Sequence, residues 1–305
     1  MGSSSWSSDA FSKLKADHST KSTAQIFTST KIDNDMSPKN VKFRESRDSD
    51  AHPESVAVAV FLDVTGSMGM IPERLVREKL GALMTTLIDH GVPDAHVLFG
   101  AIGDHYSDTT PLQVGQFEAG TDELNKWLTK IYLEGGGGGQ NKESYLLAWL
   151  FAGRHTSIDC FEKRDEKGFL FTIGDEATWD EAEKDRLADL LGYSLEANVT
   201  SAQLLAEAQR MYNVFHLHIK ETSTGRQQNI IDSWKDKLGE RVIIVEDYNN
   251  VAEIIASTVA VVRGADIQKV VAGFDDHTAK QVTNALVKVG AGVVGSKQKS
   301  GVVTL

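Results

Sequence analysis

The sequence is poor in cysteine and in long apolar runs. Cys160 is the single cysteine among 305 residues, which excludes an intrachain disulfide and a cysteine-based zinc site. No apolar run approaches the roughly 18 residues that a membrane-spanning helix needs, and no apolar segment typical of a secretory signal follows the serine-rich start. A lone cysteine favours a reducing compartment, so we expect a cytoplasmic protein.

Basic residues are scarce as well. The chain has 32 Lys and Arg against 43 Asp and Glu, a formal net charge of −11. Residues 1–54 hold eight of each sign, so the acidic excess belongs to residues 55–305. A body of this charge repels the phosphates of nucleic acids and anionic lipids. We therefore expect no nucleic acid and no membrane among its partners.

The sequence divides into three segments. Residues 1–54 are rich in serine and threonine and lack a sustained apolar period, which predicts a flexible N-terminal arm that is ordered only on contact. Residues 55–263 alternate apolar runs with helical patterns and are expected to form one domain. Residues 264–305 contain one amphipathic helix, predicted at 275–289, followed by a glycine-rich tail that is either disordered or an edge strand.

The central segment predicts an α/β fold. Continuous apolar runs are typical of strands buried on both faces of a parallel sheet, and they occur at 56–63, 96–104, 168–175, 213–219 and 241–245. Helical stripes between them imply right-handed crossovers and a doubly wound, Rossmann-like, mostly parallel sheet with helices on both faces. Residues 111–117 follow the second strand too closely for a parallel return, which predicts one antiparallel edge strand.

Three of the predicted strands end in a carboxylate. These are Asp63, Asp104 and Asp175. An aspartate at such a position is most simply a helix cap or turn residue. Ligands of open α/β sheets, however, bind outside the carboxyl ends of the strands, and carboxylates that converge there repel each other unless a proton or a cation lies between them.

The first of these strand ends carries the most specific motif. Asp63-Val-Thr65-Gly-Ser67 places a carboxylate and two hydroxyls at alternate positions of one turn, so all three oxygens can face one point. Hard cations such as Mg²⁺ prefer oxygen ligands and usually keep some of their waters. The motif therefore predicts a divalent-cation site.

The motif resembles the metal-ion-dependent adhesion site of von Willebrand factor A domains. Residues 103–108, 133–144 and 169–175 are similar to the later loops of intracellular members, so the resemblance spans roughly residues 55–263. It implies the von Willebrand factor A fold and one Mg²⁺ or Mn²⁺ ion. Ser67 would bind that ion directly, while Thr65 or Asp63 and Asp175 would bind it directly or through water.

The resemblance is weakest in the second loop. Where the family offers threonine or aspartate, this chain has Gly139-Gln140-Asn141. Gln140 is a substitute ligand through its amide oxygen, Asp104 is a further candidate, and Glu143 is expected to cap the next helix instead. The run of five glycines before Gln140 is either a flexible linker or a loop that lets backbone groups approach a ligand.

The resemblance also implies a function. Such domains grip a partner protein whose carboxylate fills the open position on the metal, and they are not enzymes. The implied partner classes are an AAA+ ATPase of the MoxR kind, a multiprotein assembly such as a phage particle, or further copies of the chain. The expected location is the cytoplasm, or a virion if the chain is phage-encoded.

Two alternatives stay open. Residues 63–67 also resemble the nucleophile loop of haloacid-dehalogenase-type phosphatases, in which Asp63 would be the nucleophile, Asp175 and Asp180 would hold Mg²⁺, and Lys163 or Lys167 would balance the charge. Pro72 starts the next helix too soon after Asp63 for the insertions of that family. The second alternative is a structural protein with a degenerate metal site.

A histidine pair is a weaker candidate site. His216 and His218 alternate on one predicted strand and therefore share a face, which is compatible with a metal pair. We favour a core position for both.

Overall fold

A six-stranded sheet lies at the centre of the computed structural model, which describes residues 4–66, 68–136 and 139–298. The strands are β1 (Arg44–Ser46), β2 (Val56–Asp63), β3 (Ala95–Ile102), β4 (Leu112–Val114), β5 (Lys142–Glu143), β6 (Thr156–Ile158), β7 (Gly168–Gly174), β8 (Ala177–Thr178), β9 (Glu181–Ala182), β10 (Val199–Thr200), β11 (Tyr212–Ile219) and β12 (Val242–Val245). The central sheet has the order β12-β11-β7-β2-β3-β4, and the others form short two-stranded pairs.

Helices cover both faces of this sheet. They are α1 (Ser8–Ser19), α2 (Thr23–Ile26), α3 (Met70–Arg74), α4 (Leu80–Asp89), α5 (Thr121–Thr129), α6 (Tyr145–Arg154), α7 (Asp159–Glu162), α8 (Lys184–Leu191), α9 (Ser201–Met211), α10 (Gln228–Leu238), α11 (Val251–Val262), α12 (Ile267–Val271) and α13 (Asp276–Gln298). A π-helical stretch, Leu75–Lys79, joins α3 to α4.

The strand directions confirm the predicted fold class. Within the central sheet β12, β11, β7, β2 and β3 are parallel to their neighbours, and β4 pairs antiparallel with β3 at the edge. The connection from Ile102 to Leu112 is too short for a parallel return, which accounts for the antiparallel pairing. The fold is therefore a doubly wound α/β sheet with one antiparallel edge strand.

The alternation of side chains along β2 builds two separate cores. Val56, Val58, Val60 and Leu62 belong to the core beneath α4, α5 and α11. Ala57, Ala59 and Phe61 belong to the core beneath α6, α9 and α10. Both faces of the strand are buried, which is why its sequence is a continuous apolar run.

The winding of the sheet reverses between β2 and β7. After β2 the chain adds β3 and β4 on one side, and it then crosses over to add β7, β11 and β12 on the other. Such a reversal opens a crevice at the carboxyl ends of the two central strands. Asp63 ends β2 and Asp175 directly follows β7, so the fold brings these two residues to the crevice.

The N-terminal segment differs from its prediction. The sequence predicts a flexible arm over residues 1–54, but the structure packs its described part onto the domain. Phe11, Ile26, Phe27 and Met36 are buried in the core beneath α4 and α5, and β1 pairs with β6. Its apolar residues are sparse, yet each one fills a site on a core that the domain already provides, so the segment does not need a core of its own.

The C-terminal segment is more helical than predicted. Helix α13 extends from Asp276 through Gln298, so residues 290–298 continue the predicted helix, and residues 299–305 lie outside the described part. Val282, Leu286 and Val289 bury one side of α13 against the core. Of the helices in the described ranges, none combines the length and the apolar character that crossing a bilayer requires.

Candidate cation site at the switch point of the sheet

The loop after β2 is organised around the carboxylate of Asp63, which is almost fully buried. Oδ1 of Asp63 accepts hydrogen bonds from the backbone N–H of Thr65 (2.9 Å) and from its hydroxyl (2.6 Å). This turn holds the Thr65 hydroxyl beside the carboxylate, as the alternating motif predicts. Ser67, the third predicted ligand of this loop, lies outside the described residues.

Asp175 reaches the same crevice from the neighbouring strand. It is 2% exposed, and its Oδ2 accepts a hydrogen bond from the Thr222 hydroxyl at 2.5 Å. Because β2 and β7 are adjacent and in register, Asp175 and Asp63 lie close enough for the charge of Asp175 to raise the pKa of Asp63. The structure thus brings together two of the predicted carboxylate ligands.

A buried tyrosine joins the two strand ends, and sequence reasoning missed it. The Tyr145 hydroxyl donates to Oδ2 of Asp63 at 2.7 Å. A Cβ at Gly174 would lie 1.9 Å from this hydroxyl and 2.8 Å from Oδ2 of Asp63, so the close approach requires glycine at position 174. Tyr145 belongs to the first turn of an apolar helix, where an aromatic residue predicts only packing.

Asp104 is hydrogen-bonded within and beside the loop that follows β3. Its Oδ1 accepts hydrogen bonds from the indole N–H of Trp179 (2.8 Å) and the backbone N–H of Tyr106 (3.1 Å). Its Oδ2 accepts one from the Ser107 hydroxyl (3.1 Å). Both oxygens are therefore engaged in shaping the loop after β3, as the turn interpretation of this aspartate predicts, and its role as a metal ligand stays a prediction.

The glycine-rich second loop contacts the first. The backbone N–H of Gly66 donates to the carbonyl of Gly136 at 2.9 Å, and Gly135 and Gly139 have φ values of 70° and 67°, which favour glycine. Gln140 is exposed. Residues 137 and 138 lie outside the described part of the chain.

Glu143 has a role other than the predicted helix cap. Ser144 is the residue before α6, and neither carboxyl oxygen of Glu143 has a hydrogen-bond partner, although the residue is fully buried. The expectation that Glu143 caps the next helix is wrong. A buried carboxyl group without a hydrogen-bond partner lowers the stability of the folded state, and no contact within the described residues compensates Glu143.

The crevice disfavours negative charge. Burial raises the pKa of Asp63 to about 6, and Asp175 adds to the shift while hydrogen bonds from Thr65 and Tyr145 oppose it. Burial, reinforced by Asp63, raises the pKa of Glu176 to about 7 and that of Glu143 to about 11. Carboxyl groups that raise one another's pKa in this way are the environment in which a cation is stabilising.

The donor set of the crevice consists of oxygen atoms. Within the described ranges, no group of three or more His, Cys, Asp and Glu side chains is arranged to hold a metal ion. A cation here would therefore combine the carboxylates of Asp63 and Asp175 with hydroxyl groups and water. This chemistry suits Mg²⁺ or Mn²⁺ better than zinc.

Three residues of the phosphatase alternative, Lys163, Lys167 and Asp180, form contacts outside the crevice. Lys163 pairs with Asp159 at 2.6 Å, and Lys167 donates to the carbonyl of Gln209. Lys167 immediately precedes β7, so it lies at the sheet edge opposite to Asp175. Asp180 forms salt bridges with Lys237 (2.8 Å) and Lys142 (3.6 Å) on the surface.

The alternating histidines are core residues. His216 stacks on Trp234 with ring centroids 3.5 Å apart, and its Nδ1 lies 3.0 Å from the Thr172 hydroxyl. Nε2 of His218 lies 2.8 Å from the carbonyl of Gly225. Both side chains are fully buried, which agrees with the core position that we favoured from the sequence.

No protein-family model and no curated protein matches the chain. Among solved structures, the pilus adhesin SpaC of Lactobacillus rhamnosus GG in its open conformation is 9% identical with a TM-score of 0.43, over 70% of this chain and 31% of that one. Proximal thread matrix protein 1 of the mussel byssus is 9% identical with a TM-score of 0.39, over 66% and 46%.

A third similar structure is a von Willebrand factor type A protein from Catenulispora acidiphila. It is 16% identical with a TM-score of 0.36, over 68% of this chain and 42% of that one. The chain thus spans less than half the length of each of these three proteins. The fold assignment rests on the strand order described above.

Proposed function

We propose that the chain is a protein-binding module that depends on a divalent cation, Mg²⁺ or Mn²⁺, and that it is not an enzyme. The observation that carries this proposal is the convergence of Asp63 and Asp175 at the switch point of the sheet. Both are buried carboxylates, both are held in place by hydroxyl donors, and they lie where open α/β sheets bind ligands.

The residues that would hold the cation are Asp63, Thr65, Ser67 and Asp175. When bound, the cation would act as an electrophile that accepts a carboxylate oxygen from a partner protein. The chain's own contribution is to fix these side chains. Tyr145 orients Asp63 and Thr222 orients Asp175, each through a hydroxyl donor.

The partner in this proposal is a protein that presents an aspartate or glutamate. The resemblance of residues 63–67 to metal-dependent adhesion sites supports this choice, and it extends to an AAA+ ATPase of the MoxR kind, a phage or other multiprotein assembly, or a second copy of the chain. The lone cysteine supports a cytoplasmic location, or a virion-associated one if the chain is phage-encoded. The net charge of −11 argues against nucleic acid and membrane partners.

The first test is a thermal melt with added Mg²⁺ or Mn²⁺. A cation at 100 times its Kd stabilises the folded state by about 2.7 kcal/mol, which raises Tm by about 4 °C for a chain of this size. We expect this rise in the wild type and its loss in Asp63→Ala. The matched control is Asp180→Ala, which removes a carboxylate outside the crevice and should keep the rise.

The same variants separate the proposal from the phosphatase alternative. Turnover of an aryl phosphate that Asp63→Asn and Asp180→Ala both abolish would establish the enzyme instead. Partner chemistry is tested with bound Mn²⁺, because a carboxylate that displaces its water lowers the water-proton relaxation enhancement. Acetate should lower the enhancement, whereas acetamide should not. An equal response to both probes contradicts the predicted carboxylate preference.

A further inference from the structure

Glu143 is buried in the crevice without a hydrogen-bond partner for either of its carboxyl oxygens. It is 0% exposed, and both Oε1 and Oε2 are unpartnered. Isolating a carboxyl group from water without a compensating partner is strongly unfavourable. Buried polar groups are nearly always satisfied in folded proteins, so this position calls for a ligand.

The backbone around Glu143 fixes it between the carboxyl ends of three strands. Strand β5 pairs in parallel with β8, so Glu143 lies opposite Thr178, shortly after the end of β7. The backbone N–H of Ser144 donates to the carbonyl of Gly103 at the end of β3 (3.2 Å). Two residues beyond Glu143, Tyr145 reaches Asp63 at the end of β2.

The direction of the Glu143 side chain follows from strand alternation. Its neighbour Lys142 is partly exposed and pairs with Asp180 at 3.6 Å, while Glu143 points inward. Burial raises the pKa of Glu143, and the charges of Asp63 and Glu176 raise it further. Glu143 therefore faces the same crevice as the two proposed carboxylate ligands.

We propose that Glu143 is the second-loop residue that completes the cation site, by accepting hydrogen bonds from the water shell of the ion. This inference rests on the proposed function. It places the contribution of the second loop at Glu143 rather than at Gln140, which is exposed. Mg²⁺ keeps several of its waters in proteins, and a carboxyl group in the outer shell accepts hydrogen bonds from those waters.

The test measures Mn²⁺ affinity by electron paramagnetic resonance together with Tm in EDTA. Glu143→Gln should weaken Mn²⁺ binding by about 10- to 100-fold, the usual effect of an outer-shell change. Glu143→Met should weaken it at least as much, yet in EDTA it should melt at or above the wild-type Tm, because an apolar isostere removes an uncompensated buried group. Gln140→Ala, the matched control in the same loop, should bind Mn²⁺ as the wild type does.

The outcomes distinguish this inference from the proposed function. If the wild type binds one Mn²⁺, Asp63→Ala does not, and Glu143→Gln binds within twofold of wild type, then the inference fails and the proposed function stands. If the wild type binds no Mn²⁺, both fail. Should Glu143→Gln not fold, the metal-free Tm and Mn²⁺ affinity of Glu143→Met decide, because a purely structural Glu143 would lower Tm in that variant.

Discussion

Gly174→Ala tests the arrangement of the site through stability alone. Gly174 ends the central strand β7 and does not require a positive φ, so alanine meets no backbone strain there. Its Cβ would lie 1.9 Å from the Tyr145 hydroxyl oxygen and 2.8 Å from Oδ2 of Asp63. An ordinary contact needs about 3.4 Å or more, so the tyrosine must move by about 1.5 Å.

The contacts of Tyr145 determine how much stability this movement costs. The ring is fully buried and packs edge-on against Trp234 and His216, with centroids 5.3 and 5.2 Å away, so it cannot swing aside freely. Overpacking in a dense core costs about 1–3 kcal/mol, and losing the hydroxyl donor to Asp63 costs about 1–3 kcal/mol more. We expect Gly174→Ala to destabilise the protein by about 3 kcal/mol.

A double-mutant cycle isolates the clash. Tyr145→Phe alone removes the hydroxyl and should cost about 1–2 kcal/mol, since Oδ2 of Asp63 loses its donor. Combined with Gly174→Ala it should cost less than the sum of the two single changes, by about 1–2 kcal/mol, because the closest contact is gone. Urea unfolding in EDTA measures all of these values.

The control for Gly174→Ala is an alanine substitution at a glycine where an added Cβ meets no other atom. A Cβ at Gly273 would meet nothing within 4 Å, so Gly273→Ala should change stability by less than about 0.5 kcal/mol. Additive effects in the cycle, or a Gly174→Ala variant as stable as Gly273→Ala, would refute the packing of Tyr145 between Gly174 and Asp63.

Three further predictions concern other parts of the molecule. Burial, together with His52, lowers the pKa of His96 to about 4. As pH falls, the unfolded chain therefore takes up a proton on this side chain before the folded protein does, and up to about 3 kcal/mol of stability should be lost between pH 6.5 and pH 4. His96→Gln should flatten that part of the pH profile of urea unfolding. Met36→Ala should cost about 3 kcal/mol by the same assay, because this side chain is fully buried; a loss below about 0.5 kcal/mol would mean that the N-terminal segment is not part of the core. Asp104→Asn should lower Mn²⁺ affinity by less than fivefold, since its oxygens serve Trp179 and the loop after β3, and a loss as large as that of Asp63→Ala would make it a ligand.

The sheet was predictable because its strands are buried on both faces. Continuous apolar runs such as the one before Asp63 stand out from helical stripes, and the chain order of strands and helices leaves few topologies open. The antiparallel edge strand was predictable from its distance to β3. The same logic places Asp63 and Asp175 at one edge of the sheet, and the structure has them there.

Other features of the site depend on contacts that no local pattern encodes. Tyr145 is one of many apolar or aromatic residues in α6, and its hydroxyl acquires a role only through the position of β2. Glu143 appears in sequence as a residue before a helix, where capping is the common function. Its burial follows from the pairing of β5 with β8, which involves two residues per strand and has no periodicity.

The N-terminal segment shows a different limit of sequence reasoning. Low apolar content predicts disorder for a segment that must build its own core. Phe11 and Met36 instead enter the core of the domain, and Ser7 donates its backbone N–H to the Thr121 hydroxyl at 2.8 Å. Composition reports what a segment contains and not which surface receives it.

The central claim is that a divalent cation binds at the switch point of the sheet, and a crystal structure with Mn²⁺ tests it most directly. The account predicts one anomalous peak in the crevice, with carboxylate oxygens of Asp63 and Asp175 within reach of the ion directly or through one water, and Glu143 facing its water shell. A Mn²⁺-soaked crystal with no peak in this crevice, or with the ion bound elsewhere, would contradict the account.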